Sequence, residues 1–168
     1  MADRARDGRR VVALCIGNPQ RGDDGAGRAV ARALRDSLGG VEIIEEEGET
    51  TRVLAQLEGA DAAFIVDACV SGQPPGVIRR FDVGAGRLPQ TAFGASTHGF
   101  GLAEALEVAR ALGALPPRCV VYAIEGAIFD IGASLSPAVA TAVEIVASRL
   151  RADILCERST PLPESVKS

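Results

Sequence analysis

Two kinds of apolar pattern alternate along this chain. Short unbroken apolar runs, typical of strands buried on both faces, occupy residues 11–16, 41–44, 62–66 and 120–124. Between them, apolar residues recur every three or four positions, as in amphipathic helices. This second pattern predicts helices over residues 25–38, 51–57, 102–112 and 137–150, the last with Ser136 as its cap and Pro137 in its first turn.

The alternation predicts a single α/β domain. Strands and helices with short connections favour right-handed crossovers, and therefore a doubly wound, mostly parallel sheet of about five strands with helices on both faces. Residues 77–83, interrupted by two arginines, indicate an edge strand, and a loop follows over residues 84–97. We expect strand order 2-1-3 at the start of the sheet. The domain should span residues 11–151, between a flexible arm (1–10) and a frayed tail (152–168).

The candidate functional residues are expected at the edge of the sheet where its winding reverses. Ligands bind there, outside the carboxyl ends of the strands, which here means between the first and third strands. Asp24 follows the first strand in a glycine-rich turn, Asp67 ends the third, and His98 precedes a helix. Two carboxylates and one imidazole suit a divalent nickel, zinc, manganese or iron ion. The sequence therefore predicts an open metal site at this edge.

Each of these residues also has a structural interpretation. Asp23 or Asp24, followed by Gly25, could cap the first helix. Asp67 could accept hydrogen bonds from loop N–H groups, and His98, flanked by Thr97 and Gly99, could be structural. The run of glutamates at 45–47, with Glu49, is expected to be a solvated strand end, and its place at the carboxyl edge of the sheet leaves a functional role open.

Composition narrows the classes of partner. The chain has 168 residues, a net charge of −4 and no basic stripe, so nucleic-acid binding is disfavoured. No apolar run reaches the roughly 18 residues of a membrane span, and no hydrophobic segment follows the charged start. We expect a cytoplasmic protein without a membrane partner. Three of the four cysteines fall in or beside apolar strands and should be reduced core residues, with Cys69 a less probable soft ligand on the face of Asp67.

Other catalytic patterns fit less well. The G-x-G-x-x-G order of dinucleotide-binding turns is absent, as is the G-x-S-x-G elbow of serine hydrolases. With a single histidine, H-E-x-x-H cannot occur. Adjacent Asp23 and Asp24 would diverge on one turn and could not share a proton as an aspartic-protease dyad does.

Three motifs resemble the signatures of the [NiFe]-hydrogenase maturation endopeptidases. They are Gly17-Asn18-Pro19-x-x-Gly22-Asp23-Asp24-Gly25-x-Gly27, Ile65-Val66-Asp67-Ala68 and Ser96-Thr97-His98-x-x-Gly101-Leu102, which follow in the family's order and spacing. Two features depart from the family pattern. Many relatives have Glu where this chain has Asp24, and the family's turn after the second strand is only loosely matched by Gly48-Glu49-Thr50.

The resemblance implies an endopeptidase that removes the C-terminal extension of a hydrogenase large-subunit precursor after nickel insertion. By that similarity Asp24, Asp67 and His98 would contact nickel already held by the precursor, and Asp24 and Asp67 would be the candidate catalytic residues. The nickel would arrive with the substrate and be absent from the isolated protein. Two alternatives stay open: a non-catalytic nickel-binding or assembly module for the same precursor, and, from fold alone, a nucleotide- or flavin-binding domain.

Overall fold

A computed structural model describes residues 8–94 and 97–161 of the chain, without the side chains of residues 97–100. The strands are β1 (Val11–Ile16), β2 (Glu42–Glu46), β3 (Ala62–Cys69), β4 (Ile78–Asp82) and β5 (Arg118–Glu125). The helices are α1 (Ala26–Arg35), α2 (Thr50–Leu57), α3 (Thr97–Ala111) and α4 (Pro137–Ser159), and a 3-10 turn (Gly22–Gly25) precedes α1.

The five strands form one sheet of order β2-β1-β3-β5-β4. The pairs β1–β2, β1–β3 and β3–β5 are parallel, whereas β4 pairs antiparallel with β5 at the edge. The predicted α/β class, the 2-1-3 order and the edge position of the fourth strand are confirmed. The order places the reversal of winding between β1 and β3, where ligands bind in sheets of this kind.

Helices cover both faces of the sheet. Apolar residues of α1 and α4, such as Val30 and Val146, pack on one face against Phe64 and Tyr122. On the other face, α2 and α3 cover Ile65 and Val121, with Leu106 among the packed residues. Because side chains alternate along a strand, β3 contributes its even-numbered core residues to the first layer and its odd-numbered ones to the second.

β3 is longer than the apolar run predicts. The run was expected to end at Asp67, but the strand continues through Ala68 to Cys69, with every residue buried. Parallel pairing of Asp67 with Ala123 and of Cys69 with Glu125 extends both strands together. Asp67 therefore lies inside the strand, two residues before its end.

The predicted boundaries of the domain are wrong at both ends. The tail was expected to fray from residue 152, but α4 continues to Ser159 because Ile154, one helical turn beyond Leu150, is fully buried. The arm was expected over residues 1–10, but the Arg10 N–H donates to Asp61 (2.7 Å) and Arg9 pairs with Glu157 (2.5 Å). Residues 1–7 and 162–168 lie outside the described residues.

At the end of β2, Glu45 pairs with Arg35 (2.6 Å) and Glu46 with Arg52 (3.8 Å), and these two glutamate side chains are only 28% and 11% exposed. Glu47 and Glu49, beyond the strand, are exposed as predicted. In the described part of the chain, no helix combines the length and the apolarity that crossing a membrane requires.

Candidate active site

The turn after β1 brings Asp24 to the carboxyl edge of the sheet. The 3-10 turn that contains it packs against β3, and the backbone N–H of Asn18 donates to Asp24 Oδ2 (3.2 Å). A Cβ on Gly27 would overlap the Ile16 carbonyl oxygen and lie 3.0 Å from that of Val66. Glycine at this position therefore lets the start of α1 approach the ends of β1 and β3 together.

Asp67 follows Val66 on the neighbouring strand and is fully buried. Strand alternation places it on the same face as Ile65 and Cys69, the face covered by α2 and α3. Asp24 is 5% exposed. Two acidic residues therefore lie buried at the reversal point, one in the turn after β1 and one inside β3.

His98 lies in the first turn of α3, a helix that contacts β3. The segment leading into α3 is attached to the end of β3, since Val70 forms a bridge with Gly94 and its N–H donates to the Phe93 carbonyl (3.3 Å). His98 therefore follows, by four residues, a backbone segment that is docked at the end of the strand carrying Asp67. Its side chain lies outside the described residues, and the described ones hold no cluster of three potential metal ligands.

Asp23 does not cap a helix. Its carboxylate accepts four hydrogen bonds from the loop before α4: from the N–H groups of Ala127 (2.8 Å), Ile128 (3.0 Å) and Ser136 (2.7 Å) and from the Ser136 hydroxyl (2.9 Å). Burial would raise the pKa of Asp23, but these hydrogen bonds outweigh it and lower the pKa below its usual value. Asp23 fixes the turn that carries Asp24 to a segment more than 100 residues away.

The capping interpretation is therefore wrong for Asp23. The N-cap residues of the 3-10 turn and of α1, Arg21 and Gly25, make no side-chain capping hydrogen bond. Ser136 does occupy the predicted N-cap position of α4, with Pro137 following, but its hydroxyl donates to Asp23 and accepts no capping hydrogen bond from its own helix.

A fourth buried carboxylate among the described residues, Glu125, was missed by the sequence analysis. It ends β5, is 2% exposed, and accepts hydrogen bonds from the Ser71 N–H (2.8 Å), the Gly72 N–H (3.0 Å), the Ser71 hydroxyl (2.7 Å) and the Cys69 thiol (3.1 Å). Burial alone would raise the pKa of Glu125, but the hydrogen bonds from these donors outweigh burial, so that the pKa lies below its usual value. An acidic residue directly after the apolar run 120–124 was the available signal, the same signal that drew attention to Asp67.

The core cysteines are poor nucleophiles. Cys15, Cys69 and Cys119 are buried free thiols, as predicted, whereas Cys156 is exposed. Burial raises the pKa of each core thiol to about 12, and at Cys69 the hydrogen bond to Glu125 adds to the effect. Since the thiolate is the reactive form, acyl transfer through Cys69 is disfavoured at neutral pH.

The arrangement is suited to binding a cation and activating water. Carboxylates withdrawn from solvent are stabilised by a positive partner, and oxygen and imidazole ligands together fit first-row divalent metals. A carboxylate beside such an ion can also act as a general base.

Comparison with known proteins identifies the family. The sequence model of the HycI family, hydrogenase maturation protease, matches residues 28–152. No curated protein sequence matches the chain. Eleven chains of solved structures are similar to it. The hydrogenase maturating endopeptidase HybD from Escherichia coli has 24% identity and a TM-score of 0.75, over 88% of this chain and 93% of that one.

A second structure, an endopeptidase from Escherichia coli, has 23% identity and a TM-score of 0.77, over 94% of this chain and 99% of that one. The third, the [NiFe] hydrogenase maturation protease HybD from Thermococcus kodakarensis, has 26% identity and a TM-score of 0.68, over 85% and 97%. The family match covers most of the domain, and the fold agrees over nearly its whole length. The resemblance seen in the three motifs is thus confirmed: this chain belongs to the hydrogenase maturation protease family, a family of peptidase hydrolases.

Proposed function

We propose that this protein removes the C-terminal extension of a [NiFe]-hydrogenase large-subunit precursor after nickel insertion. One observation carries the proposal. Asp24, in the turn after β1, and Asp67, inside β3, are both buried beside the point where the winding of the sheet reverses, and α3 begins with Thr97 and His98 shortly after Gly94, which pairs with the residue that follows β3. Membership of the maturation protease family supports the choice of substrate.

In this proposal the nickel ion belongs to the substrate. Asp24, Asp67 and His98 bind nickel that the precursor's cysteines already hold, so a precursor without nickel offers the site little to bind. Discrimination then follows from the difference in affinity between the loaded and the empty precursor. The large-subunit precursor is the partner, and we place the reaction in the cytoplasm.

Cleavage is proposed to be metal-assisted hydrolysis. The substrate's nickel acts as a Lewis acid, and either Asp24 or Asp67 takes a proton from the attacking water. Oxygen from water bonds to the scissile carbonyl carbon, the C–N bond breaks, and the departing amine receives a proton. Under this proposal the protease is of aspartyl type only in that carboxylates, and not a serine or cysteine, support the reaction.

The decisive experiment measures the mass of the large subunit after incubation with this protein. Nickel-loaded precursor should lose a C-terminal peptide, and nickel-free precursor should not. Binding of the loaded precursor without any loss of mass would instead favour a non-catalytic assembly module. Full processing by both Asp24→Ala and Asp67→Ala would exclude the proposed chemistry, and Asp130→Ala, on an exposed loop, is the matched control.

A further inference from the structure

Glu125 has more hydrogen-bond donors than a strand end requires. Four converge on its carboxylate, and all belong to Cys69, Ser71 and Gly72, which end β3 and begin the turn after it. Cys69 and Glu125 form the last backbone pair between β3 and β5. The buried Glu125 carboxylate extends this connection to Ser71 and Gly72, the residues that follow β3.

Val70, which lies between these donors, links the end of β3 to the segment that precedes His98. Val70 lies between Cys69 and Ser71 and pairs with Gly94, and its N–H donates to the Phe93 carbonyl. A Cβ on Gly94 would overlap the Val70 carbonyl oxygen. The approach is close enough that a displacement of Val70 must also displace residues 93 and 94.

Arg79 provides a second connection between the same segments. Its guanidinium donates to the Ala92 carbonyl and lies 3.6 Å from the Cys69 sulfur, above the ring of Phe81. Residues 92–94 are thus held to the end of β3 from two sides, through Val70 and through Arg79. α3 begins at Thr97, three residues after Gly94.

From these contacts we infer that Glu125 is a positioning residue for His98. By fixing the turn after β3, it sets where residues 92–94 dock and hence where the first turn of α3 lies relative to Asp67. The inference rests on the proposed function, because the position of His98 matters when it shares a metal ion with Asp67. Metal–ligand bonds are about 2 Å long, and a misplacement of about 1 Å in an active site can cost about a hundredfold in rate.

The test uses the fact that the chain contains a single histidine. The imidazole carbon-bound protons of His98 therefore give NMR signals that no other residue can produce. Glu125→Gln should shift these signals in the isolated protein and lower kcat/KM for nickel-loaded precursor by about tenfold to a hundredfold. Arg79→Gln, which breaks the second connection between the end of β3 and residue 92, should also shift these signals. This variant takes the place of Glu125→Gln if Glu125→Gln does not fold.

Tyr122→Phe is the matched control. It also removes a hydrogen bond made by β5, the partly buried one between the Tyr122 hydroxyl and Asp153 (2.6 Å), but on the opposite face of the sheet, which α4 covers. It should lower thermal stability without moving the His98 signals. If the signals of Glu125→Gln and Arg79→Gln coincide with the wild type, or if Tyr122→Phe moves them equally, the inference is wrong. Because the spectra need no precursor, this result is distinct from a failure of nickel-dependent cleavage.

Discussion

The Asp23 carboxylate is bound by both the backbone N–H and the hydroxyl of Ser136, at 2.7 and 2.9 Å. This pair joins the turn after β1 to the start of α4 across the carboxyl edge of the sheet. Because Asp23 and Asp24 are neighbours, the contact holds the candidate metal ligand in place through its own backbone.

Replacing Asp23 by asparagine should lower the free energy of unfolding by about 3 kcal/mol, because an amide turns a donor toward buried N–H groups. Urea denaturation of both proteins measures the difference. Asp130→Asn makes the same chemical change on the exposed part of that loop and should alter stability by less than about 0.5 kcal/mol. Equal stability of Asp23→Asn and the wild type would show that the four hydrogen bonds are not maintained in solution.

The lowered pKa values of Asp23 and Glu125 predict a loss of stability in acid. Their contribution is complete above the ordinary carboxyl pKa values of 3.8 and 4.5 and disappears as the pH falls through the lowered native values. Between pH 6 and pH 3, the free energy of unfolding should therefore decrease less in the Asp23→Asn, Glu125→Gln double variant than in the wild type. Parallel pH profiles would contradict this assignment.

Gly27→Ala should destabilise the protein by about 2 kcal/mol, because the new methyl group meets the Ile16 backbone and must push α1 away from the sheet. Processing activity should fall as well, since the same movement displaces the turn of Asp24. Gly39→Ala is the control, as a Cβ there meets nothing within 4 Å. Thermal denaturation distinguishes the two variants, and similar melting temperatures would refute the close approach.

The cysteines should differ sharply in reactivity. At neutral pH iodoacetamide should label exposed Cys156 and leave Cys15, Cys69 and Cys119 intact, because their pKa values are raised to about 12 by burial. Peptide mass mapping of the native protein tests this. Processing by the alkylated protein should be unchanged, and its loss on labelling of Cys69 would favour a thiol mechanism.

Most of the fold could be predicted from the sequence because the strands that form the sheet are short apolar runs, which are recognisable from neighbouring residues alone. The runs at β1 and β5 are apolar at nearly every position, and the helices between strands have clear periodicity. The end of β3 was misplaced because a charged residue inside a buried strand looks like a strand end. The C-terminal helix is longer than predicted because Ile154, four residues after Leu150, continues the buried face of α4.

The candidate ligands could be named from their positions at strand ends and in motifs. The roles of Asp23 and Glu125 could not, because they depend on contacts distant in sequence. Asp23 binds Ser136, 113 residues away, and Glu125 binds Ser71, 54 residues away. The sequence shows only that Asp23 lies in a glycine-rich turn and that Glu125 ends an apolar run. Only the packed sheet shows which donors surround it.

The proposed function requires that Asp24, Asp67 and His98 contact one nickel ion, the ion that the precursor brings. Paramagnetic Ni²⁺ added in excess to the isolated protein should bind weakly at the same three side chains and broaden the NMR signals of the single histidine in a saturable way. Asp24→Asn and Asp67→Asn should each weaken that binding at least about tenfold, as expected when one of three ligands is lost. Identical titration curves for the wild type and both variants would show that the carboxylates do not share an ion with His98, and would contradict the account.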